Sequence, residues 1–206
     1  PQPNAQQIRA LGQRSHRPAS DLLEMDAAQQ RVRKQGALAL DLSGIAKGYG
    51  VDALAHCLDG FGGRHYLVGI DGEMRAKGSK PGGQAWAVAI EKPLRHLRDV
   101  MGVMELADAA IATSGDYRHW FELAGQHYAH TIHPASGRPL DNRLASVTVV
   151  MPSCMLADAW ATALLVLGAP AATELAQQRG MTALLVLRNS GDEFEQISIV
   201  DGVLQP

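Results

Sequence analysis

Apolar residues along this chain fall into short runs with two different spacings. His65–Ile70, Met74–Lys77 and the alternating Trp86, Val88 and Ile90 predict strands, separated by turns at Asp71-Gly72 and Ser79–Gly83 and ended by Pro93. Val100–Leu106, Ala110–Thr113, Tyr117–Leu123, His127–Ile132 and Ala145–Met151 read as further strands, and Thr182–Arg188 with Phe194–Val200 as a hairpin around Asn189–Asp192. Helical spacing appears at Val51, Leu54, Ala55 and Leu58, then in a long run capped by Ser153 and closed after Leu167 by Gly168, then from Pro170 to Gly180. Towards the front, Asn4 caps a short helix over Ala5–Gln13, and Pro18 ends that region before a strand at Asp21–Met25. Strands joined by short turns pair antiparallel, so the expectation is an α+β fold, antiparallel sheets flanked by helices, in a single domain over 1–206.

One stretch, Asp41-Leu42-Ser43-Gly44-Ile45-Ala46-Lys47-Gly48-Tyr49-Gly50-Val51-Asp52, departs from this regular pattern. It follows the apolar run Ala37–Leu40, read as a buried strand end, and leads into the helix opening at Val51. A strand running through a Gly-rich loop into a helix surrounds a ligand with backbone N–H groups and a positive helix end, and Lys47 adds a mobile cation, which suits a phosphate-bearing guest. A P-loop is excluded, because Lys47 precedes its glycine and no hydroxyl follows it. Gly48–Ala53 fits G-x-G-x-x-A, with Asp71 placed as a ribose-binding acid, yet five residues separate the strand from Gly48 where a dinucleotide fingerprint needs an immediate turn. A glycine-punctuated turn without a ligand fits as well.

The helix after Ser153 is apolar nearly all round, so it should be buried, and Asp158 sits inside it. A buried carboxylate needs a cation or a dense set of hydrogen bonds. Thr162 lies one turn further on the same face, and the two offer hard oxygen ligands suited to Mg²⁺ or Ca²⁺; capping another element or pairing with an arginine would also satisfy Asp158. His127, His130 and His133 recur every third residue, but a strand would turn His130 away from the other two, which argues against zinc. His130 alone suits an acid/base or phosphate-contacting role, or that of an exposed strand histidine.

Composition narrows the partners. Nineteen Lys and Arg against twenty-one Asp and Glu leave a formal charge of −2 with no basic stripe, so nucleic acid is not expected. Cys57 and Cys154 each lie in an apolar helix-like run and are expected to be buried free thiols. The Met155–Leu167 run is too short for a bilayer. The chain opens at Pro1 without an initiator Met or leader and is read as a processed or truncated product.

Four stretches in order, Asp41–Asp52, Ala112-Thr113-Ser114-Gly115-Asp116-Tyr117, His130-Thr131-Ile132-His133-Pro134 and Ser146–Gly168 with its A-D-A-x-A-T-A core, resemble the ApbE-type FAD:protein FMN transferases. The resemblance runs from about Gln6 onward and covers only the later part of the family's length; the earlier part, which supplies some of the flavin pocket, has no counterpart here. Ile70–Met74 and Ala89–Pro93 look like the branch that accompanies nitrous-oxide reductase. The resemblance implies an ApbE-like, T-fold-like architecture and an enzyme that cleaves FAD, releases AMP and leaves FMN on a threonine of an acceptor flavoprotein, membrane-bound in some cases, in a periplasmic or membrane-associated extracytoplasmic setting. It further implies Mg²⁺ held by Asp158, Thr162 and the Gly44 carbonyl, FAD contacted by Asp41, Lys47 and Ile132, and His130 assisting at the phosphate. His133 departs from the family pattern by standing where Asp is usual. A catalytically silent flavin-binding accessory protein and an NAD-dependent oxidoreductase built on Gly48–Ala53 are the alternatives.

Overall fold

The computed structural model of the chain describes residues 19–206 except 37, 39, 124–125 and 190–192. A short hairpin, β1 (Leu23–Asp26) and β2 (Arg31–Lys34), leads to helix α1 (Ala46–Gly60). Then come β3 (Tyr66–Ile70), β4 (Glu73–Lys77), β5 (Trp86–Glu91), β6 (Val100–Leu106), β7 (Ala110–Gly115), β8 (Trp120–Leu123), β9 (Gln126–Ala129) and β10 (Leu144–Met151). Helices α2 (Cys154–Leu167) and α3 (Ala169–Gln178) precede β11 (Thr182–Arg188), β12 (Phe194–Val200) and β13 (Val203–Leu204). Seven strands form one sheet in the order β13-β12-β11-β10-β7-β4-β3, with every neighbour antiparallel. A dinucleotide fold needs parallel neighbours joined by crossover helices, so the oxidoreductase alternative falls here.

Alternation along the strands gives the sheet its two faces. Val147 and Val149 of β10 point into a cluster with Leu164 and Leu165 of α2, Ala172 and Ala176 of α3, and Leu185 and Ile199. Val150 turns to the opposite side, where Ile111, Val88, Ile90 and Leu106 meet under the β5–β6 hairpin. Each fully buried aliphatic side chain contributes about 1.5–3 kcal/mol, and the layer of helices on one side and a hairpin on the other follows from that alternation.

Helix α1 departs most from expectation. It begins at Ala46 rather than Val51, so Lys47–Gly50 are helical and not a loop. The glycine is there for packing: a β-carbon on Gly48 would lie 2.4 Å from the Cys154 carbonyl oxygen, so α1 can press onto the start of α2 only with a bare backbone. That crossing also chooses the buried face, Gly48, Val51, Asp52 and Ala55, and leaves Leu54 and Leu58 exposed. Leu38 and Leu40 belong to no strand, and Leu40 is exposed, because the run has no strand partner; Ala37 and Ala39 lie outside the described residues.

Other boundaries shift for local reasons. The strand expected from Tyr117 starts at Trp120, because Asp116 pairs with Arg188 and the Tyr117 hydroxyl with Glu91. The strand expected to reach Ile132 ends at Ala129, releasing His130 and Ile132 into the following loop. The strand expected at Asp21–Met25 is β1, behind a 3-10 turn at Ala19–Leu22. Ser153 caps α2 by accepting the Leu156 N–H, as expected, although Leu156 and Leu167 are exposed. The helix expected at Ala5–Gln13 and part of the Asn189–Asp192 turn lie outside the described residues.

The cysteines differ from each other: Cys154 is buried, but Cys57, expected to be buried, is exposed on α1. Burial first, and then the charges of Asp52, Glu73 and Asp158, push the Cys154 thiol up to about 12. A thiol reagent applied to the native protein should therefore modify Cys57 readily and reach Cys154 only on unfolding, which peptide mapping after timed quenching would check. Equal labelling of both would mean that the start of α2 opens.

Candidate active site

The two helix N-termini at the α1–α2 crossing are held by each other's carboxylates. Asp158, on α2 and only 3% exposed, accepts the Gly48 N–H of the first turn of α1 at 3.0 Å. Asp52, on α1, accepts the Cys154 and Met155 N–H groups of α2 at 3.0 Å each, the Ser153 hydroxyl at 2.7 Å and the Arg75 guanidinium at 2.5 Å. Amides at a helix start lack partners within the helix, and a carboxylate there answers both their hydrogen-bonding need and the helix dipole. Burial pushes the Asp52 carboxyl up, but these donors together outweigh it and hold it below the ordinary carboxylate range.

Around this crossing gather four of the residues singled out in the sequence. Lys47 points to Glu73 at the start of β4, its Nζ 2.7 Å from Oε1. The mobile cation expected here is thus ion-paired to Glu73. Burial lowers the Lys47 pKa while the hydrogen bond and charge of Glu73 raise it, and the net direction is up. Burial also dominates at Glu73, where it raises the carboxyl despite Lys47. Both shifts are upward, which favours the charged form of Lys47 and the neutral form of Glu73, because the Lys47 side chain is 40% exposed and that of Glu73 only 2%; the contact geometry supports an ion pair. Gly44 lies against Thr162, where a β-carbon would come within 3.3 Å of the threonine hydroxyl, and that hydroxyl shares a 2.8 Å hydrogen bond with Ser114.

This neighbourhood suits a hard cation. Asp158 and Thr162 occupy successive turns of one helix, and the bare Gly44 backbone fits closely beside Thr162. Among the described residues, no group of three His, Cys, Asp or Glu side chains converges, so a metal here would rest on one carboxylate with hydroxyl, carbonyl and water oxygens. Such a donor set matches Mg²⁺ better than Zn²⁺.

The other expected residues lie on different segments. Asp41, exposed, accepts both the N–H and the hydroxyl of Ser43, at 2.8 and 2.5 Å; the hydroxyl and then the amide hold its carboxyl below the ordinary range. This local turn precedes the Leu42 carbonyl that accepts the Ile45 and Ala46 amides at the start of α1. His130 lies 2.7 Å through Nδ1 from the His119 carbonyl, against which a neutral ring donates Nδ1–H and keeps an acceptor at Nε2. Ile132, half exposed, bridges to Pro139. His133 accepts the Ala135 and Ser136 amides on Nδ1 at 3.2 and 3.4 Å, closing a turn as an Asp side chain would.

Spacing alone did not reveal Asp52, Glu73, Arg75 or Ser114. Asp52 counted only as a motif end, and its partners at the start of α2 are 101 to 103 residues away. Glu73 shares its strand face with Arg75 and Lys77, a charged pattern that gives no sign of its burial. The A-T-S-G-D-Y stretch has a structural reason for its glycine, since a β-carbon on Gly115 would meet the Tyr117 ring at 2.7 Å and the Ala145 carbonyl at 2.8 Å.

The model of the ApbE family matches residues 1–185. The chain is 45% identical over 159 residues to the FAD:protein FMN transferase of Vibrio cholerae, a match covering 77% of this chain and 47% of that protein. It is 41% identical over 172 residues to that of Haemophilus influenzae, covering 82% and 50%. The chain thus spans about half the length of these curated relatives. Among solved structures, the apo flavinyl transferase ApbE of Pseudomonas stutzeri superposes with a TM-score of 0.78 at 38% identity, over 98% of this chain and 60% of that one. The ApbE protein of Thermotoga maritima gives a TM-score of 0.79 at 29% identity, over 95% and 62%. With its antiparallel core, the glycine-tight crossing of two helices and a family match over most of its length, the chain belongs to the ApbE family.

Proposed function

We propose that this chain provides the diphosphate-handling part of an FAD:protein FMN transferase, which moves FMN from FAD to a threonine of an acceptor flavoprotein and releases AMP. The observation that carries this reading is the gathering of Gly44, Lys47, Asp158 and Thr162 around the α1–α2 crossing, where hard oxygen donors and an ammonium are brought to one region. Asp158, Thr162 and the Gly44 carbonyl would hold Mg²⁺, which when bound neutralises charge on the diphosphate. Lys47 would stabilise the same anion with its positive charge. The threonine oxygen attacks the FMN phosphorus, the bond to the bridging oxygen of AMP breaks, and AMP leaves with that electron pair. The threonine proton goes to Nε2 of His130, whose Nδ1 is committed to the His119 carbonyl. Asp41 and Ile132 would contact the FAD, from the turn that opens α1 and from the loop after β9. An extracytoplasmic setting belongs to the same proposal; no helix among the described residues is long and apolar enough to cross a membrane.

Incubating the chain with FAD, Mg²⁺ and an acceptor flavoprotein should give covalent FMN on the acceptor and AMP in solution. Tight FAD binding without transfer would replace the enzyme by a flavin-carrying accessory protein. Lys47→Met keeps most of the stem and removes the charge, so FAD binding should weaken by about 1–3 kcal/mol, the value of a charge-assisted contact. Titration calorimetry would measure it, and unchanged affinity would mean that Lys47 serves Glu73 alone.

A further inference from the structure

Glu73 is a buried carboxylate of this region to which the proposed reaction gives no task. It is 2% exposed, its Oε1 bonds Lys47, and its Oε2 is buried and has no hydrogen-bond partner among the described residues. Burying a carboxylate with half of its hydrogen-bonding capacity unused is costly, so the one contact it makes is the place to look for its role. The position of Glu73 is rigidly set. It follows a two-residue hairpin loop, Asp71-Gly72, in which both residues have positive φ (49° and 106°), and it pairs with Ile70 in the β3–β4 ladder. Lys47, by contrast, carries its ammonium on a flexible four-carbon stem, and the charges facing it are Glu73 from β4, Asp158 from α2 and Asp71 from the hairpin loop. Without Glu73 the ammonium would divide its time among solvent, Asp71 and Asp158, and Asp158 is the carboxylate assigned to the metal.

We propose that Glu73 is the positioning residue for Lys47, anchoring the ammonium at the α1–α2 crossing so that an arriving diphosphate meets a charged group already in place. The inference rests on the reading that a diphosphate docks at Lys47, but its first test needs no ligand. In protein carrying ¹³C-labelled lysine, the Lys47 signal is assigned by its loss in Lys47→Met. Glu73→Gln should make that signal titrate at lower pH than in the wild type, since burial remains and the partner charge is gone. An unchanged titration overturns the proposal. In a second arm with FAD as the probe, Glu73→Gln should lose affinity at lower pH than the wild type. In a Lys47→Met background, the same substitution should change FAD affinity by less than about twofold. If Glu73→Gln weakens binding equally with or without Lys47, its role is merely structural and the proposal fails. If no variant nor the wild type binds FAD while the ligand-free titration shifts as stated, the diphosphate reading fails and the anchoring role of Glu73 stands. Should Glu73→Gln not fold, Glu73→Met, which fills the buried site without a polar group, takes its place in both arms.

Discussion

Asp158→Asn should leave the fold intact and nearly abolish Mg²⁺-dependent FMN transfer. The carboxylate has one observed contact and one proposed task, which this substitution separates. As the acceptor for the Gly48 amide it needs only an oxygen, which the asparagine side chain retains in the same volume. As a ligand for a hard divalent cation it needs its charge. The expected result is a thermal midpoint close to wild type with transfer reduced on the order of a hundredfold or more, because electrostatic stabilisation by a bound metal is worth several kcal/mol. Circular dichroism melts and AMP release at saturating FAD would measure the two quantities. Full Mg²⁺-dependent activity in the asparagine variant would remove Asp158 from the metal site, and a collapse of the melt would show that its charge is needed for the crossing itself.

Asp52→Ala should do the opposite, striking the fold before the chemistry. Four donors lose their acceptor at once: two amides of α2, the Ser153 hydroxyl and the Arg75 guanidinium. Arg75 is left as a poorly exposed cation without its partner, and removal of one member of such a pair costs about 3–5 kcal/mol. Urea denaturation at neutral pH should show a loss of that size. The pH dependence supplies a sign. The folded Asp52 carboxyl lies below its ordinary value of 3.8, so its contribution is fully present above that value and is lost as the pH falls through the lower folded pKa. The lead of the wild type over Asp52→Ala should therefore narrow in acid below 3.8. A constant difference down to the acid limit would show that packing, and not the carboxylate, carries the effect.

Both residues illustrate where sequence reading succeeds and where it stops. The strands from Tyr66 to Leu106 and the capped helix after Ser153 were legible because period-two alternation, Asp-Gly and Pro-Gly punctuation and an N-cap serine are local signals. The anomaly of a carboxylate in the apolar helix was also legible at Asp158; its observed contact and its proposed task were not distinguishable. The start of α1 was misjudged for a definite reason. Glycine is a poor helix former on average, and only the approach of the Cys154 carbonyl explains why Gly48 is tolerated, even required, in a first turn. Lys47 looked like a mobile cation because its partner, Glu73, lies 26 residues away across a hairpin. His133 looked like a chemical departure, and only its two accepted amides reveal the turn it closes.

The exchange of carboxylates between the two helices also bears on the order in which this protein can be made. Gly48 and Asp158 are 110 residues apart, and Asp52 and Met155 are 103 apart. During synthesis from the N-terminus, α1 emerges long before the residues that close its first turn, and α2 in turn depends on a carboxylate already waiting. Contacts of such long separation impose a large loop-closure cost before they return any stability, and they slow folding. The crossing is therefore a late event on the ribosome: the candidate site cannot assemble until α2 has cleared the exit tunnel, and until then the exposed start of α1 is a place where a chaperone would find the chain unfinished.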